Sequence, residues 1–120
     1  MTVYQRQKIF DFFEIAGRVA SSRRDKRAFF LGAIGVRRDG AMVHAFNSAN
    51  QERYHATHAE RRLCRKLDSG AVVYVARIRK GDGQFGLAKP CQRCQAILKS
   101  YGVRRIYYTI ANAEYGVITL

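Results

Sequence analysis

The chain has 120 residues, enough for one compact domain and too few for two of ordinary size. Hydrophobic residues make up 48 % of it, so a packed core can form and intrinsic disorder is disfavoured. The sequence has no run of about 18 apolar residues, which a membrane-spanning helix would need. Its first eight residues also lack the apolar stretch of a secretory signal. We therefore expect an intracellular, soluble, cytoplasmic protein with no membrane partner.

The charge is strongly positive. There are 22 Lys and Arg against 9 Asp and Glu, a formal net charge of +13. Basic doublets such as Arg37-Arg38 and Arg104-Arg105 recur along the whole chain. A field of this sign attracts polyanions, either a nucleic-acid backbone or the phosphates of a nucleotide. The alternative is a solvated basic surface that only aids solubility, and the size of the excess favours polyanion binding.

The first part of the chain predicts a helix followed by two antiparallel strands. Apolar residues recur near helical spacing over residues 3–22. Two apolar runs, over 29–36 and 41–46, flank Asp39-Gly40, a dipeptide typical of hairpin turns. The polar stretch over 47–57 is predicted to be a loop.

The second part alternates helices and strands. In order, we expect a helix over 58–67, a strand over 71–78, a loop over 80–89, a helix over 90–101 and a strand over 103–110. Pro90 suits the first turn of its helix, and Gly102 suits the stop at the other end.

The end of the chain favours an antiparallel pair of strands. Only a handful of residues separate the strand over 103–110 from the apolar residues 117–120. A parallel crossover needs a dozen or more residues, so the last two strands should form a hairpin. The order α-β-β-α-β-α-β-β then predicts one α/β domain over residues 1–120, with helices packed on a five-stranded mixed sheet.

Two short motifs at predicted helix starts carry chemistry: His58-Ala59-Glu60 and Pro90-Cys91-Gln92-Arg93-Cys94. Cys91 and Cys94 are three residues apart, so on a helix they project from one face and can share one metal ion. The N-terminus of a helix also stabilises thiolates. His58 can add a nitrogen ligand from the neighbouring helix. Three protein ligands leave the fourth tetrahedral position to water, the arrangement of a catalytic zinc.

Glu60 is the predicted proton carrier of this site. Bound zinc lowers the pKa of water from about 16 towards 7. Glu60, two residues beyond His58, is placed to take the released proton and return it to a ring nitrogen and the leaving amine.

Two other interpretations of the cysteines are weaker. In a structural zinc site Cys64 would be the fourth ligand, but on one helix it lies about 240° around the axis from His58. Packing of Cys64 beside Leu63 and Leu67 is the better interpretation. A redox C-x-x-C motif leaves His58-Ala59-Glu60 unexplained.

An H-x-E motif followed by P-C-x-x-C is the signature of zinc deaminases. On these motifs the chain resembles the cytidine deaminase superfamily, which includes free-cytidine, deoxycytidylate, tRNA-adenosine and polynucleotide cytosine deaminases. The resemblance covers nearly the whole chain and implies a three-layer α/β/α cytidine-deaminase-like fold. It implies a Zn²⁺ cofactor bound by His58, Cys91 and Cys94, with Glu60 as the proton shuttle.

The resemblance also implies two substrate contacts. The backbone N–H of Ala59 matches the group that contacts the base, and Asn47 resembles the asparagine that contacts the sugar hydroxyl. For Asn47, a turn residue opening a loop is an equally good interpretation.

The subfamily stays open at this point. Free-cytidine deaminases commonly have cysteine where His58 stands, which favours the other branches. The predicted terminal hairpin, in contrast, resembles the free-cytidine branch. Ala88-Lys89 also replaces the Ser/Thr-rich or Glu-containing sequence that commonly precedes the second motif.

The favoured function is deamination of cytosine to uracil in single-stranded DNA or RNA, where an unpaired base can enter the pocket. Six cations are candidates for phosphate contacts at its mouth: Arg23, Arg24, Arg61, Arg62, Lys89 and Arg93. The alternative is a deaminase of a pyrimidine nucleotide or nucleoside, dCMP or (deoxy)cytidine. A non-catalytic zinc-stabilised nucleic-acid-binding module is a third hypothesis, against which the presence of Glu60 argues. Family members often assemble, so a homo-oligomer is an expected state.

Overall fold

The computed structural model of the protein describes residues 3–21, 29–46, 66–79 and 82–120. These ranges contain two helices and six strands: α1 (Val3–Ser21), β1 (Phe29–Val36), β2 (Met42–Phe46), β3 (Val72–Arg79), β4 (Phe85–Gly86), α2 (Gln92–Ser100), β5 (Arg105–Ala111) and β6 (Glu114–Thr119). The helix predicted over 58–67 falls almost wholly outside them. Neither α1 nor α2 has the length of apolar sequence that crossing a bilayer requires.

The strands form one mixed sheet in the order β2-β1-β3-β5-β6. β3 and β5 are parallel, and the other neighbours in this path are antiparallel. The predicted terminal hairpin is confirmed, since β5 and β6 pair with Tyr107 opposite Val117. The predicted β1–β2 hairpin is confirmed as well. Its turn is closed by hydrogen bonds from the Arg37 N–H to the Ala41 carbonyl (2.8 Å) and from the Gly40 N–H to the Arg37 carbonyl (2.9 Å).

One short strand lies within the predicted loop over 80–89. β4 pairs with the end of β3, with Arg77 opposite Gly86 and Ile78 opposite Phe85. β5 pairs with β3 only as far as Tyr108, opposite Val75. β1 covers the other side of β3 along its whole length, so β4 takes the place beside β3 that β5 leaves. Two residues carry no hydrophobic periodicity, which is why the sequence did not reveal this strand.

Each face of the sheet buries its own cluster of side chains under one of the helices. Successive residues of a strand point to opposite faces, and β3 shows this with Val73 on one face and Tyr74 on the other. The buried cluster between α2 and the sheet consists of Ala33, Val73, Val75, Ala88, Leu98, Val103 and Ile106. The buried cluster between α1 and the sheet consists of Ile9, Phe13, Ala16, Ile34, Tyr74, Ala76 and Tyr107. The predicted three-layer α/β/α arrangement is therefore confirmed.

The C-terminal end of α2 is fixed by a Schellman motif. The Gly102 N–H donates to the Lys99 carbonyl (2.9 Å), and the Val103 N–H donates to the Leu98 carbonyl (3.1 Å). Val103 and Leu98 also pack in the same core cluster. Gly102 has φ +88°, a conformation that favours glycine. A Cβ on Gly102 would lie 2.8 Å from the Cα of Ser69, so this residue also permits a close backbone approach.

We expect Gly102→Ala to destabilise the protein more than Gly40→Ala. Both glycines have φ near +90°, but a Cβ at Gly40 meets no atom within 4 Å. Strain alone should cost about 1 kcal/mol at Gly40, and strain plus the clash about 2–4 kcal/mol at Gly102. Urea unfolding of the two variants measures the difference. Equal losses of stability would contradict the close approach of Ser69.

Aromatic rings fill the layer between α1 and the sheet. Tyr74 and Tyr107 stack with centroids 5.0 Å apart, and Phe12 lies 4.5 Å from Tyr74. Burial raises the pKa of Tyr74 to about 12, the nearby Tyr107 adds to this shift, and Arg104 and Arg105 oppose it. The phenol of Tyr74 is therefore held neutral in the folded protein well into the alkaline range.

This raised pKa predicts an alkaline loss of stability. The folded pKa of Tyr74 lies above that of an unfolded tyrosine, so its contribution is complete below pH about 10 and is lost towards pH about 12. The expected loss is at most about 3 kcal/mol, from two pKa units. Tyr74→Phe should lessen the fall in unfolding free energy across this pH range, and Tyr4→Phe, at a side chain 75 % exposed, should not. The same pH dependence in both variants would contradict the assignment.

Candidate metal centre

The two cysteines of the second motif lie at the beginning of α2. The helix begins at Gln92, two residues later than predicted, and Cys91 is its N-cap residue in an extended conformation. The Cys94 N–H donates to the Cys91 sulfur at 3.5 Å. A sulfur atom thus occupies the position where a side-chain oxygen usually accepts the first N–H groups of a helix. Both cysteines therefore lie at the start of this helix, as predicted, although Cys91 precedes the helix and only Cys94 lies within it.

The two sulfur-bearing side chains differ in their surroundings. Cys91 is exposed, whereas Cys94 is completely buried. Cys94 shares the underside of α2 with Leu98, one turn further along, which packs into the core. The cysteine pair therefore lies at the boundary between the core and the surface.

The segment that leads to Cys91 is tied to the sheet by Thr109, a side chain that is completely buried. Its hydroxyl donates to the Gly86 carbonyl (2.7 Å) and accepts from the Arg77 N–H (3.2 Å). Its carbonyl accepts from the Ala88 N–H (2.9 Å). One residue of β5 thereby fixes β3, β4 and the residues just before the cysteines.

Two amide side chains complete the support of this segment. The Gln95 side chain donates to the Pro90 carbonyl at 2.8 Å. The Asn112 side-chain oxygen accepts from the Phe85 N–H at 2.8 Å. Sequence reasoning identified none of Thr109, Gln95 and Asn112. The available signal was the one threonine among the aromatic and aliphatic residues of β5.

The remaining predicted site residues fall into two groups. Lys89 and Arg93 are both exposed beside the cysteines. The other eight lie outside the described residues: Asn47, His58, Ala59, Glu60, Arg23, Arg24, Arg61 and Arg62. Cys64 also lies outside them. Within the described ranges no three His, Cys, Asp or Glu side chains are grouped around one point, and the predicted third ligand, His58, is not among those residues.

The donor set at the start of α2 fits a zinc ion. Cysteine sulfur is a preferred zinc ligand, and an N–H group directed at a ligand sulfur is the kind of outer contact that orients such ligands. The Cys94 N–H provides this contact to Cys91.

Removal of the Thr109 hydroxyl should weaken both the fold and metal retention. Thr109→Val leaves the partly buried Gly86 carbonyl and Arg77 N–H without this partner, at a cost of about 1–3 kcal/mol. Loosening the segment before Cys91 should lower zinc affinity roughly tenfold. Chelator competition measures the affinity, with Thr109→Ser and Thr119→Val, an exposed β6 position, as controls. Equal zinc affinity in the Val and Ser variants of Thr109 would contradict this role.

Comparison with known proteins gives the family. The family model for the cytidine and deoxycytidylate deaminase zinc-binding region matches residues 6–110. The sequence matches none of the curated proteins. Among solved structures, the crystal structure of cytidine deaminase from Mycobacterium leprae is similar, with a TM-score of 0.62 and 20 % sequence identity. That similarity covers 99 % of this chain and 94 % of the other, and at this identity it shows the fold.

The matched range includes both motifs and most of the described elements. The family is defined by its zinc-binding region, so Zn²⁺ is the cofactor. The chain belongs to the cytidine and deoxycytidylate deaminase family, and it is a zinc-dependent hydrolytic deaminase.

Proposed function

We propose that the chain, as a single deaminase domain over residues 1–120, converts cytosine to uracil in single-stranded nucleic acid. The observation that carries this substrate assignment is the position of exposed cations beside the cysteine pair. Lys89 lies two residues before Cys91, and Arg93 lies between the two cysteines. Phosphates on either side of a bound base are the groups that cations in this position would contact.

In the proposed site, His58, Cys91 and Cys94 hold the metal. Zinc, when bound there, makes a water molecule acidic enough to react at neutral pH. The Glu60 carboxylate accepts the proton that the water loses and delivers protons to the ring nitrogen and to the departing amino group. A C–O bond forms at C4 of the base, the C–N bond breaks, and ammonia leaves.

Two residues would hold the base and its sugar. The Ala59 N–H donates to the base, and Asn47 contacts the sugar hydroxyl. The buried side of the site is formed by Cys94, whose neighbour Leu98 extends into the core. A base that reaches the metal must leave its stack, so a single strand is a better substrate than a duplex.

The large positive charge supports a polymeric substrate. A net charge of +13 exceeds what a single phosphate group would require. The other cations proposed to contact phosphates are Arg61 and Arg62, which directly follow the first motif, and Arg23 and Arg24, which lie further upstream in the sequence.

A second candidate is a deaminase of free dCMP or (deoxy)cytidine. The antiparallel β5–β6 hairpin favours it, because this arrangement resembles the free-cytidine branch. The fold similarity to a cytidine deaminase points the same way. Under this function, most of the basic side chains would be solvated and would not contact substrate.

The deciding experiment offers zinc-loaded protein a cytosine-containing oligonucleotide, dCMP and cytidine in parallel, with mass analysis of the products. Conversion to uracil adds about one mass unit, since an oxygen replaces an N–H group. We expect conversion of the oligonucleotide, with turnover that falls steeply as salt rises. Formation of product from dCMP or cytidine, with none from the oligonucleotide, would overturn the polynucleotide assignment.

The Glu60→Gln variant tests the mechanism in the same assay. Removal of the proton carrier should lower turnover by about 10²–10⁴-fold, with zinc content and oligonucleotide binding unchanged. Glu114→Gln, at an exposed position of β6, is the matched control and should react as the parent does. Undiminished uracil formation by the Glu60 variant would end the catalytic claim. Zinc and nucleic-acid binding without any turnover by the parent would instead indicate a non-catalytic module.

A further inference from the structure

A second basic surface lies at the edge of the sheet opposite the cysteines. α2 begins beside β4, at the C-terminal end of β3, and ends beside the residues that precede β3. At that far end the Gly70 N–H donates to the Gly102 carbonyl (2.7 Å), and the Arg104 N–H donates to the Ala71 carbonyl (3.0 Å). The nine residues of α2 separate the two edges by about 14 Å along the helix axis.

Three exposed cations are carried by the segments at this far edge: Arg38, Lys99 and Arg104. Within the described part of the chain none of them forms an ion pair with a carboxylate. We call these residues, together with Tyr101, the distal basic surface.

Two acidic side chains near the distal basic surface, Asp39 and Asp68, are already engaged. The Asp68 carboxylate accepts from the Arg38 N–H at 3.1 and 3.2 Å. Arg37 lies 3.9 Å from Asp68 and 3.6 Å from Asp39. Arg37 therefore accounts for the ion pairs that the described residues form at this edge, and none of these pairs involves the three exposed cations.

The backbone that carries these cations is held firmly. The side chain of Arg38 lies over Gly70, with its Cδ 3.3 Å from where a Cβ of that glycine would be. The Arg104 carbonyl accepts from the Leu120 N–H at 3.1 Å, and its N–H is bound to Ala71. Cations on a fixed backbone lose less entropy when they bind a phosphate chain.

An exposed aromatic ring lies in the same surface. Tyr101 caps the C-terminal end of α2, between Lys99 and Gly102, and its side chain is 49 % exposed. Basic side chains around an accessible ring are the usual combination for single-stranded nucleic acid, because bases stack on the ring while cations contact the phosphates.

We propose that the distal basic surface binds a single-stranded polynucleotide at a second point, away from the metal centre. Arg38, Lys99 and Arg104 contact phosphates, and Tyr101 stacks on a base. The proposal rests on the proposed polynucleotide substrate and adds a site that holds the strand while another part of it reaches the cysteines. The protein measures 34 × 32 × 24 Å. At about 3.4 Å per stacked nucleotide, a strand needs about five nucleotides or more to span the separation of about 14 Å between the two edges.

The test compares two variants that remove the same net charge. R38Q/R104Q and K8E each lower the charge by two, and Lys8 is an exposed residue of α1. Binding of an oligothymidylate of about 20 nucleotides is measured by fluorescence anisotropy across a salt series. For R38Q/R104Q we expect the slope of log affinity against log salt to fall by about 1.4, at 0.7 per lost phosphate contact. Affinity at low salt should fall about tenfold or more, and K8E should retain the parental values.

Tyr101 gives an independent measure on the same oligonucleotide. Tyr101→Ala should weaken binding about tenfold with the salt slope unchanged, because stacking releases no counterions. Tyr101→Phe should restore binding, which separates the loss of the ring from damage to the end of α2. Tyr4→Ala, at the exposed start of α1, is the control.

The outcomes separate this proposal from the proposed function, since an oligothymidylate contains no cytosine and reports binding alone. Equal affinities of R38Q/R104Q and K8E would overturn the distal site. Binding that depends on this surface, in a protein that converts no oligonucleotide, would retain the site and reject the proposed activity.

Discussion

The position of the cysteine pair depends on the hydrogen bonds of one buried hydroxyl group. Thr109 joins the end of β3 to β4 at the point where β5 no longer pairs with β3. The residues that follow β4 lead directly to Cys91. Without these bonds the opening between the two parallel strands would expose unpaired backbone groups. The same geometry that closes the sheet therefore also sets the position of the first cysteine of the pair.

α2 connects two surfaces with different chemistry. Its first turn presents one buried and one exposed cysteine, and a sulfur accepts one of the N–H groups of that turn. Its last turn is locked by Gly102 against Ser69, beside exposed cations and an exposed tyrosine. Leu98 fixes the helix between them in the core. A rigid helix of this kind keeps the separation between the two surfaces constant.

The sequence predicted most of the architecture because its signals were local. Asp39-Gly40 placed the first hairpin, Gly102 the end of α2, and the short connection after β5 the final antiparallel pair. Cys91 and Cys94 were placed at a helix start by their spacing.

What the sequence did not reveal depends on contacts between distant segments. β4 is too short to carry a pattern, and Thr109 gains its role only when β3, β4 and β5 meet. The local charge at the far edge could not be predicted, because it depends on the contacts of Asp68 with the Arg38 backbone and the Arg37 side chain. His58 and Glu60 lie outside the described residues, so their roles remain those that the motif implies.

The parallel pairing of β3 with β5 has a consequence for the order of assembly. The β1–β2 and β5–β6 hairpins join residues that are close in sequence, whereas Val72 meets Arg105 only after the chain between them has turned back. Contacts between residues far apart in sequence carry the larger entropic cost and tend to form late. Both cysteines lie in that returning segment. The cysteines are therefore expected to reach their final positions after the two hairpins have formed.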